Sequence, residues 1–463
     1  MTPTLLLFNY DWDQLGFARA QRAAGARIAA VDGFDLFNFP SNARLAWFDL
    51  ERFTRKLAWQ ARRRGWQAVA SCHEQFGALA AAMLAERLGW PGTPVNAVLA
   101  CQHKLYARQV LQRVCPQANI GFAELDAEYG GPVPEGLSYP QFVKPVKAAF
   151  SVLARTVHSQ AELHAHTRFG AWELWVIRHL VEPFERIFQQ RLGAEAGASS
   201  AHRMMLEESI SAPQFNLDGY VFQGQAHAFG VVDAVMYPGT QAFMRFDYRS
   251  GLPGAVQAQA LDVAQRFLSA IGFTHGMFNM EFFHDATTGR LSVIEFNPRL
   301  ASQFSDLYLR VDGLDLHACA LALAQGRSPA SVPRRAPTAG AASSLVFRSF
   351  DRHARVPMPT RGQLQQLSLV YPDALCLPMP KDASSIERDF KWLGSYRHGI
   401  VHLGGADAAD LQRRAEHASH LLGWPAPFDH LVLRHPTTAA LRHGLGLELP
   451  SPVRVQAQAK PSL

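Results

Sequence analysis

The chain has 463 residues, of which 48% are hydrophobic and 18% charged, and it carries a net charge of +6. That length is too great for one ordinary core and suggests about three units, and the composition excludes a disordered chain. No apolar run approaches the roughly 20 residues of a membrane span, and no dense basic tract with interleaved aromatics points to nucleic acid.

The first hundred residues alternate strand and helix. Leu5–Phe8 reads as a strand, Gln14–Ala24 as a helix and Arg27–Val31 as a second strand. Leu50–Arg64 reads as a helix, Ala68–Ser71 as a short buried strand and Gln75–Leu88 as an alanine-rich helix closed by Gly89. This rhythm implies a small parallel sheet covered by helices. The turn Asn9-Tyr10-Asp11 has no GxGxxG, so the usual dinucleotide fold is not supported.

After Trp90-Pro91-Gly92 the texture changes. A helix is expected over Cys101–Val114, an edge strand over Pro140–Pro145 leading into Val146–Leu153, and helices over Ala161–Phe169 and Val181–Arg191. Gly193–Ser200 is small and polar and is expected to be a mobile loop. Strands begin at Met204–Leu206 and continue with Leu217–Phe222 and Ala226–Asp233. A long amphipathic helix follows over Gly254–Ile271, then a hairpin, then a closing helix over Gly313–Gln325. The expected units are 1–100, 101–325, a Pro/Arg/Ala-rich linker at 326–342, a small mixed α/β unit over 343–430 and a disordered tail over 431–463.

Five scattered cysteines with no CxxC pair argue against a zinc site or a disulfide framework and fit a reduced compartment. The start lacks a basic leader and a signal-length apolar core, so the cytoplasm is the expected location. Nearly all cations are arginine; the only lysines are Lys56, Lys104, Lys144, Lys147, Lys381, Lys391 and Lys460. In such a chain a lysine marks a place where a compact point charge is useful.

Phe278–Phe283 and Ser292–Asn297 alternate polar and apolar residues around the turn composition His284–Arg290. Alternation puts Glu295 and Asn297 on one face, and a loop centred on Thr288 puts Glu281 across from Glu295. Two carboxylates at about 5 Å repel by roughly 3 kcal/mol at an effective dielectric near 20. Either a divalent cation neutralises them, with Asn297 as a third oxygen, or the face is solvated and paired with Arg290 and Arg299. An all-oxygen set suits Mg²⁺ or Mn²⁺.

The order Lys104, Phe142-Val143-Lys144-Pro145, Leu206-Glu207-Glu208, Glu281 and Ile294-Glu295-Phe296-Asn297-Pro298-Arg299 resembles the ATP-grasp superfamily over about residues 68 to 326, including the lead-in His73-Glu74. The resemblance implies a mixed α/β and α+β architecture. It comprises an N-terminal parallel α/β domain, a two-lobed nucleotide-gripping domain and a small C-terminal α/β lid. It implies ATP and Mg²⁺ as cofactors and activation of a carboxylate as an acyl phosphate, which an amine or other nucleophile attacks. Lys104 and Lys144 would sit on the phosphates, with Lys147 and Ser151 in the loop over them. Glu207, Glu208 and Ile210 would lie at the adenine, and Gln214 at the ribose. Glu281, Glu295 and Asn297 would hold metal, and Arg299 would steady the transferring phosphoryl group. Such chemistry needs positioning and charge neutralisation above all.

Three departures from the family pattern stand out. Gln214 occupies a position usually held by Glu, the loop Lys147-Ala148-Ala149-Phe150-Ser151 lacks the usual glycines, and Leu300-Ala301-Ser302-Gln303 replaces glycines after the arginine. Lys147 is either a phosphate ligand or a surface lysine. Arg245 either binds a substrate carboxylate or forms a surface ion pair, and Ser302 is a second candidate for substrate contact. His158, His164 and His166 read as a solvated helix face, and Cys319 as core. The expected partners are a small-molecule carboxylate and an amine, and the apolar first domain offers a face for a homodimer. The function implied is an ATP-dependent carboxylate–amine ligase. The alternatives are a bicarbonate-activating carboxylase or a nucleotide-binding regulatory module without turnover.

Overall fold

A computed structural model describes residues 2–24, 27–31, 41–128, 133, 135–148, 153–197 and 199–424. Ala149, Phe150 and Ser151, in the loop expected to lie over the phosphates, and the tail 431–463 lie outside the described residues. The strands are β1 (Thr4–Leu7), β2 (Ile28–Val31), β3 (Ala68–Ala70), β4 (Phe122–Glu128), β5 (Gln141–Pro145), β6 (Arg155–Val157), β7 (Arg203–Glu207), β8 (Gln214–Phe222), β9 (Gln225–Met236), β10 (Phe243–Tyr248), β11 (Gly276–His284), β12 (Leu291–Asn297), β13 (Ala341–Ser349), β14 (Leu375–Pro378) and β15 (Tyr396–Gly405). The helices are α1 (Asp11–Ala24), α2 (Leu50–Arg64), α3 (Gly77–Leu88), α4 (Val95–Gln102), α5 (Lys104–Val114), α6 (Gln160–Thr167), α7 (Ala171–Leu192), α8 (Gly254–Ala270), α9 (Ser305–Asp312), α10 (Leu316–Ala324), α11 (Arg361–Val370), α12 (Ala383–Leu393) and α13 (Ala408–Leu422).

Three sheets organise these elements. The N-terminal one is parallel, in the order β2-β1-β3. A four-stranded antiparallel sheet, β4-β7-β5-β6, forms one lobe of the middle of the chain. The other lobe is part of an eight-stranded sheet, β12-β11-β8-β9-β10-β13-β15-β14, which runs on into the C-terminal unit through the pairing of β10 with β13. Helix α8 covers one face of the large sheet. Its Phe267 stacks on Phe296 at 4.0 Å, and both are buried with Met280 and Phe282. Each such ring contributes about 1.5–3 kcal/mol by leaving water. The other face meets α9 and α10, where Tyr308 and Leu307 pack with Phe246 and Tyr248.

Several expected elements differ in the structure, for local reasons. The helix expected over Cys101–Val114 is two helices, α4 and α5, broken at His103. His103 is extended, and its Nδ1 accepts from the backbone N–H of Tyr106 at 3.1 Å, so it caps α5 and starts that helix at Lys104. The segment expected as an edge strand, Pro140–Pro145, is interior, because β5 pairs with both β7 and β6. The closing helix expected over Gly313–Gln325 is α10, which starts at Leu316, and the separate helix α9 before it carried no expectation. Gly313 takes a left-handed φ of 66° at the end of α9, where a Cβ would lie 1.8 Å from the Arg335 carbonyl oxygen. Asp315 then caps α10 by accepting from His317 and Ala318. The helix expected over Val181–Arg191 starts a decade earlier, as α7, and β10 carried no expectation at all. His166 is not on a solvated face. It is buried, with Nε2 at 2.8 Å from the Leu153 carbonyl oxygen, whereas His158 and His164 are exposed.

Candidate active site

The hairpin β11–β12 has the register expected from its symmetry: Glu281 pairs with Glu295 and Asn279 with Asn297. The turn is fixed by Asp285, whose carboxylate accepts from the Thr287 N–H and the Thr288 hydroxyl, and by Gly289 at φ 70°. Strand β8 lies beside β11 with Asn216 opposite Glu281 and Asp218 opposite Asn279. Seven polar residues, Gln214, Asn216, Asp218, Asn279, Glu281, Glu295 and Asn297, therefore share one face of the sheet.

Hydrogen bonds order this face. Asn297 Nδ2 donates to Asn279 Oδ1 at 3.1 Å and to Glu281 Oε1 at 3.2 Å. Gln214 Nε2 donates to Glu281 Oε2 at 2.9 Å. Asn279 Nδ2 donates to Asp218 Oδ1 at 3.0 Å, and the Tyr308 hydroxyl donates to Asp218 Oδ2 at 2.9 Å. Burial, with the Glu295 and Glu74 carboxylates adding to it, pushes Glu281 up to about 8. A carboxylate so raised calls for a cation. Asn216, opposite Glu281, has a buried Nδ2 with no hydrogen-bond partner among the described residues. Among the described residues no three His, Cys, Asp or Glu side chains form a self-sufficient metal cage. Glu281, Glu295 and the free amide oxygen of Asn297 would hold Mg²⁺ as an incomplete oxygen set, with phosphate and water supplying the rest.

The cations around this face are held by carboxylates. Lys104, the first residue of α5, places Nζ 3.1 Å from Glu295 and 2.9 Å from the Ala148 carbonyl oxygen. Burial disfavours its charge, but Glu295 and Glu74 outweigh burial and raise its pKa. Lys144 and Arg108 grip Glu207 at 2.8 and 2.7 Å, and all three are almost fully buried. Burial lowers Lys144 to about 8 despite Glu207. Arg299 pairs with Glu74 through Nη2, and its Nε lies 3.2 Å from the same oxygen. Burial works against the Glu74 carboxylate, yet Arg299, Lys104 and Lys147 hold its pKa below the usual range. Lys147 is not a surface lysine. It is 2% exposed and lies over the Phe184 ring at 5.0 Å. Burial lowers it to about 7, with Glu74 opposing and Lys104 adding.

Other expected site residues fall outside this cluster. Glu208 is exposed and pairs with Arg290 at 3.2 Å, although it directly follows the buried Glu207. Ile210 is half-buried in the link between β7 and β8. Ser302 accepts from the Trp12 indole at 2.9 Å, on the N-terminal side of Arg299. Arg245 does not fit the substrate role considered for it. Phe246 pairs with Ala234, which pairs with Gln214, so Arg245 points from the opposite face and bonds Asp247 at 2.6 Å.

Sequence reasoning gave no role to Arg108, Tyr10 or Trp12, and named His73 only as part of a lead-in. Arg108 lies four residues after Lys104, on the same side of α5, and ties Glu207 to the carbonyl oxygens of Val293 (2.6 Å) and Ile294 (2.8 Å). The helical spacing was the available signal. Tyr10, Trp12 and His73 stack at 5.1 and 5.2 Å into a wall at the ends of β1 and β3, beside Glu74. Burial, aided by Arg299 and Lys147, lowers His73 to about 4, so this wall is neutral at pH 7. No signal short of the parallel-strand topology joins those loops.

No family model matches the chain. Carnosine synthase 1 of Gallus gallus is similar to it, 28% identical over 291 residues, which cover 58% of this chain and 28% of that protein. The match thus spans less than a third of that relative's length. The fold resembles the L-amino acid ligase of Bacillus licheniformis, with a TM-score of 0.64, 15% identity and coverage of 91% of this chain and 98% of that one. It also resembles a biotin carboxylase from Campylobacter jejuni, with a TM-score of 0.58, 15% identity and coverage of 95% and 96%. The chain thus shares its fold with these solved enzymes, and the opposed carboxylates and ordered lysines lie within that fold.

Proposed function

We propose that the chain is an ATP-dependent carboxylate–amine ligase, which activates a carboxylate as an acyl phosphate and joins it to an amine with release of ADP and phosphate. The observation that carries this reading is the opposed pair Glu281 and Glu295, with Asn297 beside them and Lys104 bonded to Glu295. A protein that only bound nucleotide would have little use for this arrangement together with Arg299 paired to Glu74.

In this reading Lys104, Lys144 and Lys147 neutralise the phosphate chain. Glu281, Glu295 and Asn297 hold Mg²⁺, which supplies charge neutralisation during phosphoryl transfer. Arg299, oriented by Glu74, sits where charge develops on the acyl phosphate. The neutral wall of Tyr10, Trp12 and His73 keeps water from the activated carbonyl. Gln214, in the family's ribose position, orients Glu281 with its amide N–H and has its Oε1 left for a nucleotide hydroxyl. Similarity to an amino acid ligase and to a carnosine synthase supports small carboxylate and amine substrates.

The test is phosphate release across pairs of carboxylates and amines. ADP formation is expected to require both substrates, and Glu295→Ala is expected to lower it at least about 100-fold while circular dichroism stays native. Undiminished turnover in that variant would remove the metal assignment. The likeness to a biotin carboxylase favours a second reading, bicarbonate activation. Phosphate release stimulated by bicarbonate alone, with no amine dependence, would select it.

A further inference from the structure

Outside the cluster just described, the C-terminal unit contains two guanidinium groups placed against each other. Arg348 and Arg397 are register partners across β13 and β15, next to an irregularity between Phe347 and Arg348, and Arg397 acts electrostatically on Arg348. Along β13, Arg348 alternates with Val346 and Ser344, and Ser344 pairs with Phe246, which pairs through Ala234 with Gln214 on the metal-binding face. Like charges directly opposite weaken a sheet. Arg108, by comparison, is saturated by Glu207, Asn119 and two carbonyl oxygens. These two are not. Arg348 makes one bond, from Nη1 to Ser395 Oγ at 3.2 Å, and its Nε is buried without a partner among the described residues. Arg397 makes no hydrogen bond or ion pair among the described residues, although it is half-buried.

The carboxylate that acts on both is Asp389, and it is already engaged by Lys381 at 3.1 Å and Arg388 at 3.3 Å. Burial lowers the pKa of both guanidinium groups, that of Arg348 to about 10, with Arg397 adding to the effect. Arg397 interacts electrostatically with Tyr10, and Tyr10 in turn with Arg299 and Glu74.

We propose that Arg348 and Arg397 form a carboxylate-binding subsite on the acceptor side of Arg299, which takes the free carboxylate of an amine substrate that is itself an amino acid. This rests on the ligase reading and names its acceptor class. Two guanidinium forks on register partners match the two oxygens of one carboxylate. The ATP phosphates have their own cations in Lys104, Lys144 and Lys147, so the arginine pair is left for a different anion. A carboxylate held there leaves the amine end of the acceptor near Tyr10, beside the carbonyl that Arg299 polarises.

Two measurements test it on the full chain. In the first, thermal unfolding is followed with malonate and, separately, with a non-hydrolysable ATP analogue and Mg²⁺. Malonate is expected to raise the Tm of the wild type. In Arg397→Met and Arg348→Met that rise disappears, the unliganded Tm stays the same or increases, and the shift with the ATP analogue is kept. Arg397→Gln serves if the methionine variant does not fold. In the second, phosphate release is compared for amino acids and their carboxamides. The carboxamides are expected to show KM at least about 10-fold higher, and in Arg397→Met the two values converge. A malonate shift that survives in the variants, or equal KM for acid and amide in the wild type, overturns the subsite while leaving the ligase reading intact. Absence of any shift with the ATP analogue overturns the ligase reading and the subsite with it.

Discussion

The two cationic regions of this protein are built on opposite plans. Around the opposed glutamates, Lys104, Lys144, Arg108 and Arg299 each have a carboxylate within bonding distance. In the C-terminal unit, Arg348 and Arg397 are register partners and share one carboxylate that is engaged elsewhere. Lys147 lies between these extremes, with an aromatic ring as its neighbour and its opposing charges further off. The difference separates two uses of buried charge. A paired cation holds the frame together, and removing it leaves a carboxylate stranded in a low-dielectric interior. An unpaired cation costs stability until something arrives to satisfy it.

Substitutions can sharpen this contrast. The largest effect on the fold is expected from Arg108→Met, which strands Glu207 and frees two hairpin carbonyl oxygens. The loss is about 3–5 kcal/mol in urea or thermal unfolding. A loss no larger than that of an exposed arginine would show that the frame does not depend on this pair. Next comes Gln214→Glu, which replaces a donor to Glu281 with a further carboxylate on the same face. It is expected to destabilise the unliganded protein by about 1–3 kcal/mol and to weaken ATP binding in calorimetry. Tighter binding would instead assign Gln214 chiefly to the ribose. The smallest effect is a slope. Lys147 titrates near 7 in the folded chain, below its unfolded value, so above pH 7 the unfolded state binds the additional proton. Its contribution to stability therefore rises as pH increases from about 7 towards the ordinary lysine value near 10.4. Lys147→Met should be more stable than the wild type at pH 7, and the difference should shrink towards pH 10. A difference that is constant with pH would mean that Lys147 is charged and satisfied in the fold.

The pairing of Glu281 with Glu295 was legible in the sequence because a two-residue period and a symmetric turn leave one register that buries Phe282 and Phe296. The β-α-β rhythm of the first hundred residues was legible for a similar reason, since Gly65 and Gly89 end helices in left-handed turns. Other features depended on contacts far apart in the chain. The break at His103 comes from an imidazole acting as a cap, a role usually taken by Ser, Thr, Asp or Asn. Strand β10 is short and defined by its neighbours β9 and β13, the second of which lies about a hundred residues later. Arg245 and Arg348 are indistinguishable as letters, and only the register assigns them to opposite faces. Glu74 lay in a recognised stretch, but its bond to Arg299 spans 225 residues and has no local trace.

Three amides around Glu281 have their orientation set by hydrogen bonds. Asn297, Asn279 and Gln214 each direct N–H towards a neighbouring oxygen, and Asp218 ends the row by accepting from Asn279 and Tyr308. Turning one amide over would set proton against proton or lone pair against lone pair along the row, so the amides keep their orientation collectively. What that order presents to the cleft is the oxygen end of Asn297 and of Gln214. The face is thereby polarised towards cations before any cation is present, with Tyr308, a residue of a helix rather than of the hairpin, as the anchor that sets its direction.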